Sequence, residues 1–254
     1  IGFWKQWRNI VKGINNQSLI VGELWELSPD FISDDGSFDA LMNYNFAFAV
    51  NDYFIAEKNK ILVDEFIERL QKIDETYPYQ NLFVLQNLLS SHDTERLSSL
   101  IQNPDRKYEH DANEGNKNYK PGKPTSDYIE KQKLVAAFQL LYRGAPMIYY
   151  GDEVGMWGAD DPHDRKPMIW DDLVYENEII NEQSGFKTGF GSYSVEQNKD
   201  LLKFYKEIIE IRNRNEAIKT GTLKFIYSDN ENKTFVFESV LADEKIICAF
   251  NLGE

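Results

Sequence analysis

Apolar residues recur at steps of three and four through Trp4, Trp7, Val11 and Ile14, the spacing of one stripe on an amphipathic helix that opens at Ile1-Gly2-Phe3-Trp4. A short apolar run, Leu19-Ile20-Val21, then reads as a strand ending at Gly22-Glu23. Ser28 to Ser37 is polar, holds Pro29, Asp34, Asp35 and Gly36, and reads as a loop. Phe38 to Met42 suits a second strand, and helices are expected from about Phe46 to Glu57 and from about Leu62 to Ile73. The clearest strand is Leu82 to Leu89, ending at Ser90-Ser91-His92-Asp93. A long polar loop covers 102 to 126. Asp127 and Glu130 resemble a capping box for a helix bearing Leu134, Phe138 and Leu141. Ala145 to Tyr150 gives a fourth strand ending at Gly151-Asp152-Glu153, a second long loop runs from about 155 to 197, and Leu201, Leu202, Tyr205, Ile208 and Ile209 mark a last helix.

Strands alternating with helices argue for parallel pairing through right-handed crossovers, and four such strands make half of an eight-stranded barrel. The link between the first two strands is barely helical. After about residue 218 the pattern changes: Thr222 to Tyr227, Thr234 to Ser239 and Lys245 to Asn251 alternate like antiparallel strands. Residues 1–218 are therefore expected to form the barrel part, and 219–254 the beginning of a β domain.

The formal net charge of −14 argues against nucleic acid and anionic membranes, both of which need clustered Lys and Arg. No apolar run approaches the roughly 18 residues that span a bilayer. The lone Cys248 forms no internal disulfide and leaves the compartment open. His92, His110 and His163 lack metal-ligand spacing, so no metal site is expected. The opening directly on a helix suggests a chain cut from something longer.

Polar residues gather where strands end: Glu23, then His92 and Asp93, then Asp152 and Glu153. In barrel enzymes that rim is the active-site face. Any one acid there is as readily a solvated loop residue, so the surrounding residues decide. Val21-Gly22-Glu23-Leu24-Trp25 resembles the acid/base segment of the alpha-amylase superfamily. Phe38 to Tyr44 resembles its sixth strand, Asn87 to Arg96 its seventh with the His-Asp pair, and Gly144 to Glu153 its eighth. Asp161-Pro162 with Arg165 to Trp170 is similar to the following loop in neopullulanase- and cyclomaltodextrinase-like members. The order and spacing of all five agree across essentially the whole chain.

The resemblance implies an α/β fold: the carboxy-terminal half of a (β/α)8 barrel, then the start of an antiparallel β domain. It implies a retaining hydrolase cleaving alpha-1,4-glucosidic bonds, with an α-glucan oligosaccharide or polysaccharide as partner. Glu23 would protonate the glycosidic oxygen and later deprotonate water. Asp93 would hold the sugar at the cleavage point and stabilise the transition state, and His92 would donate a hydrogen bond to the same ring. Trp25 would offer a stacking face or simply pack. Arg165 and Asp161 would bind sugar or pair with each other, and Asp152 and Glu153 would support from behind. The family's nucleophile is an Asp two residues after an Arg on the fourth strand, a segment placed just before Ile1. The 254 residues alone are thus expected to be inactive. Calcium, bound by some members beside an inserted domain, is expected only in a longer protein; no other cofactor is implied. Rival readings are a transglycosylase with the same chemistry and a non-catalytic glucan-binding or structural subunit. A homo-oligomer is compatible with all three.

Overall fold

The computed structural model describes residues 2–32 and 36–253. Ile1, Ser33 to Asp35 and Glu254 lie outside the described residues, so the expectations for Asp34 and Asp35 in the first loop, and for Ile1 in the first helix, are not addressed. A parallel sheet runs β1 (Val21–Leu24), β2 (Ala40–Asn43), β3 (Gln86–Leu88) and β4 (Ala145–Met147), in that spatial order. Glu23 pairs in register with Met42, Met42 with Gln86, and Gln86 with Ala145. Sequential parallel neighbours make an arc with all carboxyl ends on one rim, as the alternating pattern predicts.

Helix α1 (Gly2–Ile14) precedes β1, and among the described residues only a 3-10 turn, Pro29–Phe31, lies between β1 and β2. Helix α2 (Tyr44–Val50) starts directly at the end of β2, where the Asn43 side chain accepts from the Phe46 N–H. Its continuation, Asn51–Ile55, widens into a π-helical turn. Helix α3 (Val63–Thr76) returns the chain to the sheet. Two more helices, α4 (Leu97–Gln102) and α5 (Ser126–Leu141), connect β3 to β4.

Several boundaries differ from the sequence reading. The expected strand at 82–89 shrinks to Gln86–Leu88, because Tyr79–Phe83 coils into a 3-10 turn with Tyr79 and Phe83 edge to face at 5.1 Å. An apolar run of this length does not separate strand from turn. The fourth strand likewise stops at Met147. Asp127 and Glu130 form no capping box: Thr125 precedes α5 without a side-chain cap, and Glu130 pairs with Lys133 at 2.7 Å. The loop after β4 carries a small hairpin, β5 (Glu178–Ile180) with β6 (Gly191–Tyr193). Ile180 and Phe186 there close a satellite cluster with Ala112 and Tyr119 from the loop before α5.

Helices α6 (Lys199–Arg214) and α7 (Glu216–Thr220) lead into the antiparallel sheet β7 (Thr222–Asp229), β8 (Thr234–Leu241) and β9 (Glu244–Asn251). Period-two alternation buries Phe235 and Phe237 on one face of β8. That face meets the helices that back the parallel sheet. Phe138 of α5 lies 5.8 Å from Phe235 and 5.5 Å from Phe250, and Phe66 of α3 lies 5.5 Å from Phe235. Each fully buried aromatic of this kind contributes about 1.5–3 kcal/mol from area alone. Arg212 of α6 fixes the end of α5, donating to the carbonyls of Leu140 (2.8 Å), Tyr142 (3.0 Å) and Gly144 (2.5 Å). These contacts make the sheet arc a rigid base for its rim.

The first helix is held differently. Arg8 and Lys12 pair with Asp39 at 2.7 and 2.8 Å, and Asp39 also accepts from the Ile20 N–H. Burial works against the Asp39 charge, but Lys12 and Arg8 hold its carboxyl below the usual range. No residue of α1 is buried, and Phe3, Ile10 and Ile14 on its apolar side are exposed.

Candidate active site

The rim begins at β1. Gly22 is buried, and a Cβ there would lie 2.5 Å from the Phe38 ring, so only glycine lets β1 close on the next segment. Strand alternation then turns Glu23 the other way, to an exposed position within β1 rather than after it. Its Oε1 accepts a 2.7 Å hydrogen bond from the Tyr44 hydroxyl. Tyr44 follows β2 directly and is fully buried. Burial and the bond to Glu23 push its hydroxyl well above its ordinary value, and the charge of Asp93 adds to this. Tyr44 thus registers the carboxylates of two strand tips, Glu23 from β1 and Asp93 from beyond β3. Trp25 lies flat against Tyr44 at 3.9 Å and 12°, so one of its faces is occupied by packing.

The tip of β3 is braced from within. The Ser91 N–H donates to Thr94 Oγ1 at 2.8 Å, and the Asp93 N–H donates to Ser91 Oγ at 3.1 Å. Beneath it, Asn43 Nδ2 donates to Asn87 Oδ1 at 2.9 Å, and Tyr108 donates to the Leu89 carbonyl at 2.9 Å. His92 and Asp93 are both solvent-accessible, with His92 Nε2 3.5 Å from Asp93 Oδ2.

The loop after β4 completes this side. Arg165 Nη2 donates to Asp93 Oδ1 at 3.0 Å, and Arg165 Nε lies 3.0 Å from Asp161 Oδ1. Of the two readings left open for this pair, the mutual pairing is present, and Arg165 also reaches the rim carboxylate. Asp152 is buried, as a supporting role requires. It accepts from Ser90 Oγ and lies 3.6 Å from Arg96 Nη1. Burial raises its carboxyl to about 6, opposed by the Arg96 charge. Glu153 accepts from the Gly151 N–H at 2.8 Å, which steadies the β4 tip.

The six predicted site residues thus fall into two linked groups, Glu23 and Trp25 through Tyr44, and His92, Asp93 and Asp161 through Asp93 and Arg165. Sequence reasoning did not single out Tyr44, Arg96 or Asp164. Tyr44 had a legible signal: it stands just past an expected strand, the kind of position from which the other candidates were drawn. Arg96 and Asp164 had none, since their importance comes from burial. Glu23 borders a cleft of about 350 Å³ between α1 and β1 that also includes Trp4, Trp7 and Phe38. The largest cleft described, about 510 Å³, lies at the starts of α5 and α6 and holds none of the predicted residues.

A four-stranded parallel arc with acids at the carboxyl ends of its strands has the architecture of part of a (β/α)8 barrel. The alpha amylase catalytic domain matches residues 1–221, and the chain belongs to the alpha-amylase family. It is 31% identical over 253 residues to neopullulanase 2 of Thermoactinomyces vulgaris, covering 99% of this chain and 35% of that protein. It is 33% identical over 235 residues to a cyclomaltodextrinase of a Bacillus species, covering 92% of this chain and 33% of that protein. A solved cyclomaltodextrinase superposes with a TM-score of 0.74 at 31% identity, over 98% of this chain and 34% of that one. A cyclic alpha-maltosyl-(1→6)-maltose hydrolase from Arthrobacter globiformis gives 0.74 at 25% identity, over 100% of this chain and 46% of that one. The chain spans about a third of the length of these curated relatives. Its parallel sheet is the carboxy-terminal half of the barrel, and its antiparallel strands follow as in the sequence reading.

Proposed function

We propose that this chain supplies the acid/base and the sugar-holding side of a retaining α-glucan hydrolase acting on alpha-1,4 linkages. The observation that carries the reading is Tyr44, whose buried hydroxyl at the end of β2 binds Glu23 and is pushed up further by the charge of Asp93. Relatives named neopullulanase and cyclomaltodextrinase support the substrate class.

In this reading Glu23 donates its proton to the glycosidic oxygen as the bond breaks, then takes a proton from the attacking water. The Tyr44 hydroxyl, held neutral by burial, orients Glu23 by donating to one oxygen and leaves the other free for the substrate. Asp93 and His92 hold hydroxyls of the sugar at the cleavage point. Arg165, fixed between Asp93 and Asp161, sets the direction of the Asp93 carboxylate. Trp25 acts as a wall through its unstacked face. Retention requires a second carboxylate about 5–5.5 Å from the acid. The Arg-x-Asp segment of the family is not found ahead of β1 in these residues, so the 254 residues by themselves are proposed to show no turnover. Residues 1–218 are proposed as the barrel part, and 219–254 as the opening of the β domain.

The test places Glu23→Gln in a polypeptide that carries this chain behind the preceding barrel strands. Turnover of maltooligosaccharide is expected to fall by roughly 10²–10⁴-fold with binding retained. Unchanged turnover would remove Glu23 from the chemistry.

A further inference from the structure

Behind the rim sits a group that never reaches the surface. Arg96 is fully buried, with its guanidinium 4.7 Å from the Tyr149 ring centre and 4.8 Å from that of Tyr150. Its Nη1 donates to the Tyr150 carbonyl at 2.6 Å and lies 3.6 Å from Asp152 Oδ1. Its Nε and Nη2 have no hydrogen-bond partner among the described residues. Asp164 is also fully buried, and neither of its carboxyl oxygens has a partner there. A buried arginine beside under-satisfied carboxyls is costly unless their mutual attraction holds a particular arrangement.

The arrangement joins the two segments that carry the site. Arg96 follows Asp93 by three residues, and Asp164 directly precedes Arg165. The Arg96 N–H donates to the Gly158 carbonyl at 3.1 Å. Ser98 Oγ donates to the Met156 carbonyl at 2.8 Å, and the Gly158 N–H donates to Ser99 Oγ at 2.9 Å. The β3 tip and the loop after β4 are therefore stitched by backbone on one side of Arg96 and linked by charge on the other. Gly151, at φ +90°, permits this closeness: a Cβ there would lie 3.1 Å from Arg96 Nη1 and would clash with Met156.

We infer that Arg96 is a positioning residue of the glucan site, holding the β3 tip against the loop after β4 through the carbonyls of Gly158 and Tyr150 and the buried carboxyl of Asp152, beside the buried Asp164, so that Arg165 meets Asp93. This rests on the proposed function. Arg96 does not touch substrate, because it has no exposed surface. The guanidinium lies 3.6 Å from the Asp152 carboxyl, and both carboxyls are buried. The charge of Glu153 also acts on Asp152, and those of Arg165 and Asp161 act on Asp164. Burial pushes both Asp152 and Asp164 to about 6, opposed at Asp152 by Arg96 and at Asp164 by Arg165 and then Arg96. The guanidinium is planar and stacks, so a lysine would keep the charge and lose the geometry.

The experiment compares wild-type chain with Arg96→Lys and Asp164→Asn at pH 7, well below their unfolding temperatures. Maltotriose affinity is read by calorimetry, and the Arg165 Nε–H and His92 ring resonances by NMR. Asp164→Asn removes a buried charge and keeps the shape, so the fold is expected to persist. Both variants are expected to weaken maltotriose binding about five- to ten-fold and to shift both sets of resonances. A merely structural role would make binding follow stability, leaving Asp164→Asn at wild-type affinity with unmoved signals, and that result would overturn the inference. If wild-type chain binds no maltotriose, the glucan reading falls. The resonances then decide positioning alone: shifted signals support it and unmoved signals reject it.

Discussion

Glu23 reaches the rim from β1 with a single side-chain hydrogen bond among the described residues, from Tyr44, at an exposed position. Asp93 reaches the same rim from a tip braced by Ser91, Thr94, Arg165 and the buried Arg96 group. The supports differ in the same way. Beside Glu23, α1 buries no side chain and leaves Phe3, Ile10 and Ile14 exposed, while α5 and α6 behind β4 bury Phe138, Leu201 and Tyr205. Two residues proposed to act on the same sugar are thus held with very different stiffness. On the Asp93 side, order comes from groups within the chain. On the Glu23 side, the enclosure that a general acid needs is not supplied by the described residues.

The largest way to break this contrast is Arg96→Leu. It leaves Asp152 and Asp164 buried without their cation, and is expected to cost about 3–5 kcal/mol in urea unfolding. A loss under about 1 kcal/mol would show that the braced side is no stiffer than the other. A smaller effect depends on pH. The Asp164 carboxyl sits near 6 in the fold and near 3.9 when unfolded, so the fold holds its proton more tightly. The contribution is present at low pH and is lost as pH rises through about 6. Stability of Asp164→Asn relative to wild type should therefore rise by on the order of 1–2 kcal/mol from pH 4 to pH 7.5. Urea midpoints at the two pH values check this, and a flat difference would contradict it. At the small end, Glu23→Gln should change stability by no more than about 0.5 kcal/mol, as befits an exposed group with one hydrogen bond.

Much of this was legible in the sequence, for identifiable reasons. The parallel order was readable because apolar runs and amphipathic stripes alternate, and the antiparallel part because Thr234 to Ser239 alternates with period two. The rim acids were singled out because they follow apolar runs in segments resembling one family. Strand lengths were not: Leu82-Phe83 looks like β3 by composition, yet local packing of Tyr79 against Phe83 coils it. The capping box at Asp127 failed because a favourable spacing does not compel the side chains to turn inward. The β5–β6 hairpin stayed hidden in a polar loop, since its apolar residues pack only against another loop. Arg96 stands inside a recognised segment, but nothing in its one-dimensional context distinguishes a buried arginine between two tyrosine rings from a solvated one.

The central claim is that the tips of β1 and β3 and the loop after β4 form one glucan-binding rim. NMR titration of the chain with maltotriose tests it directly. Signals from Glu23, Tyr44, His92, Asp93 and Arg165 are expected to move together along a single binding curve while those of β7–β9 stay still. Shifts confined to the antiparallel sheet, or separate curves for Glu23 and Asp93, would contradict it.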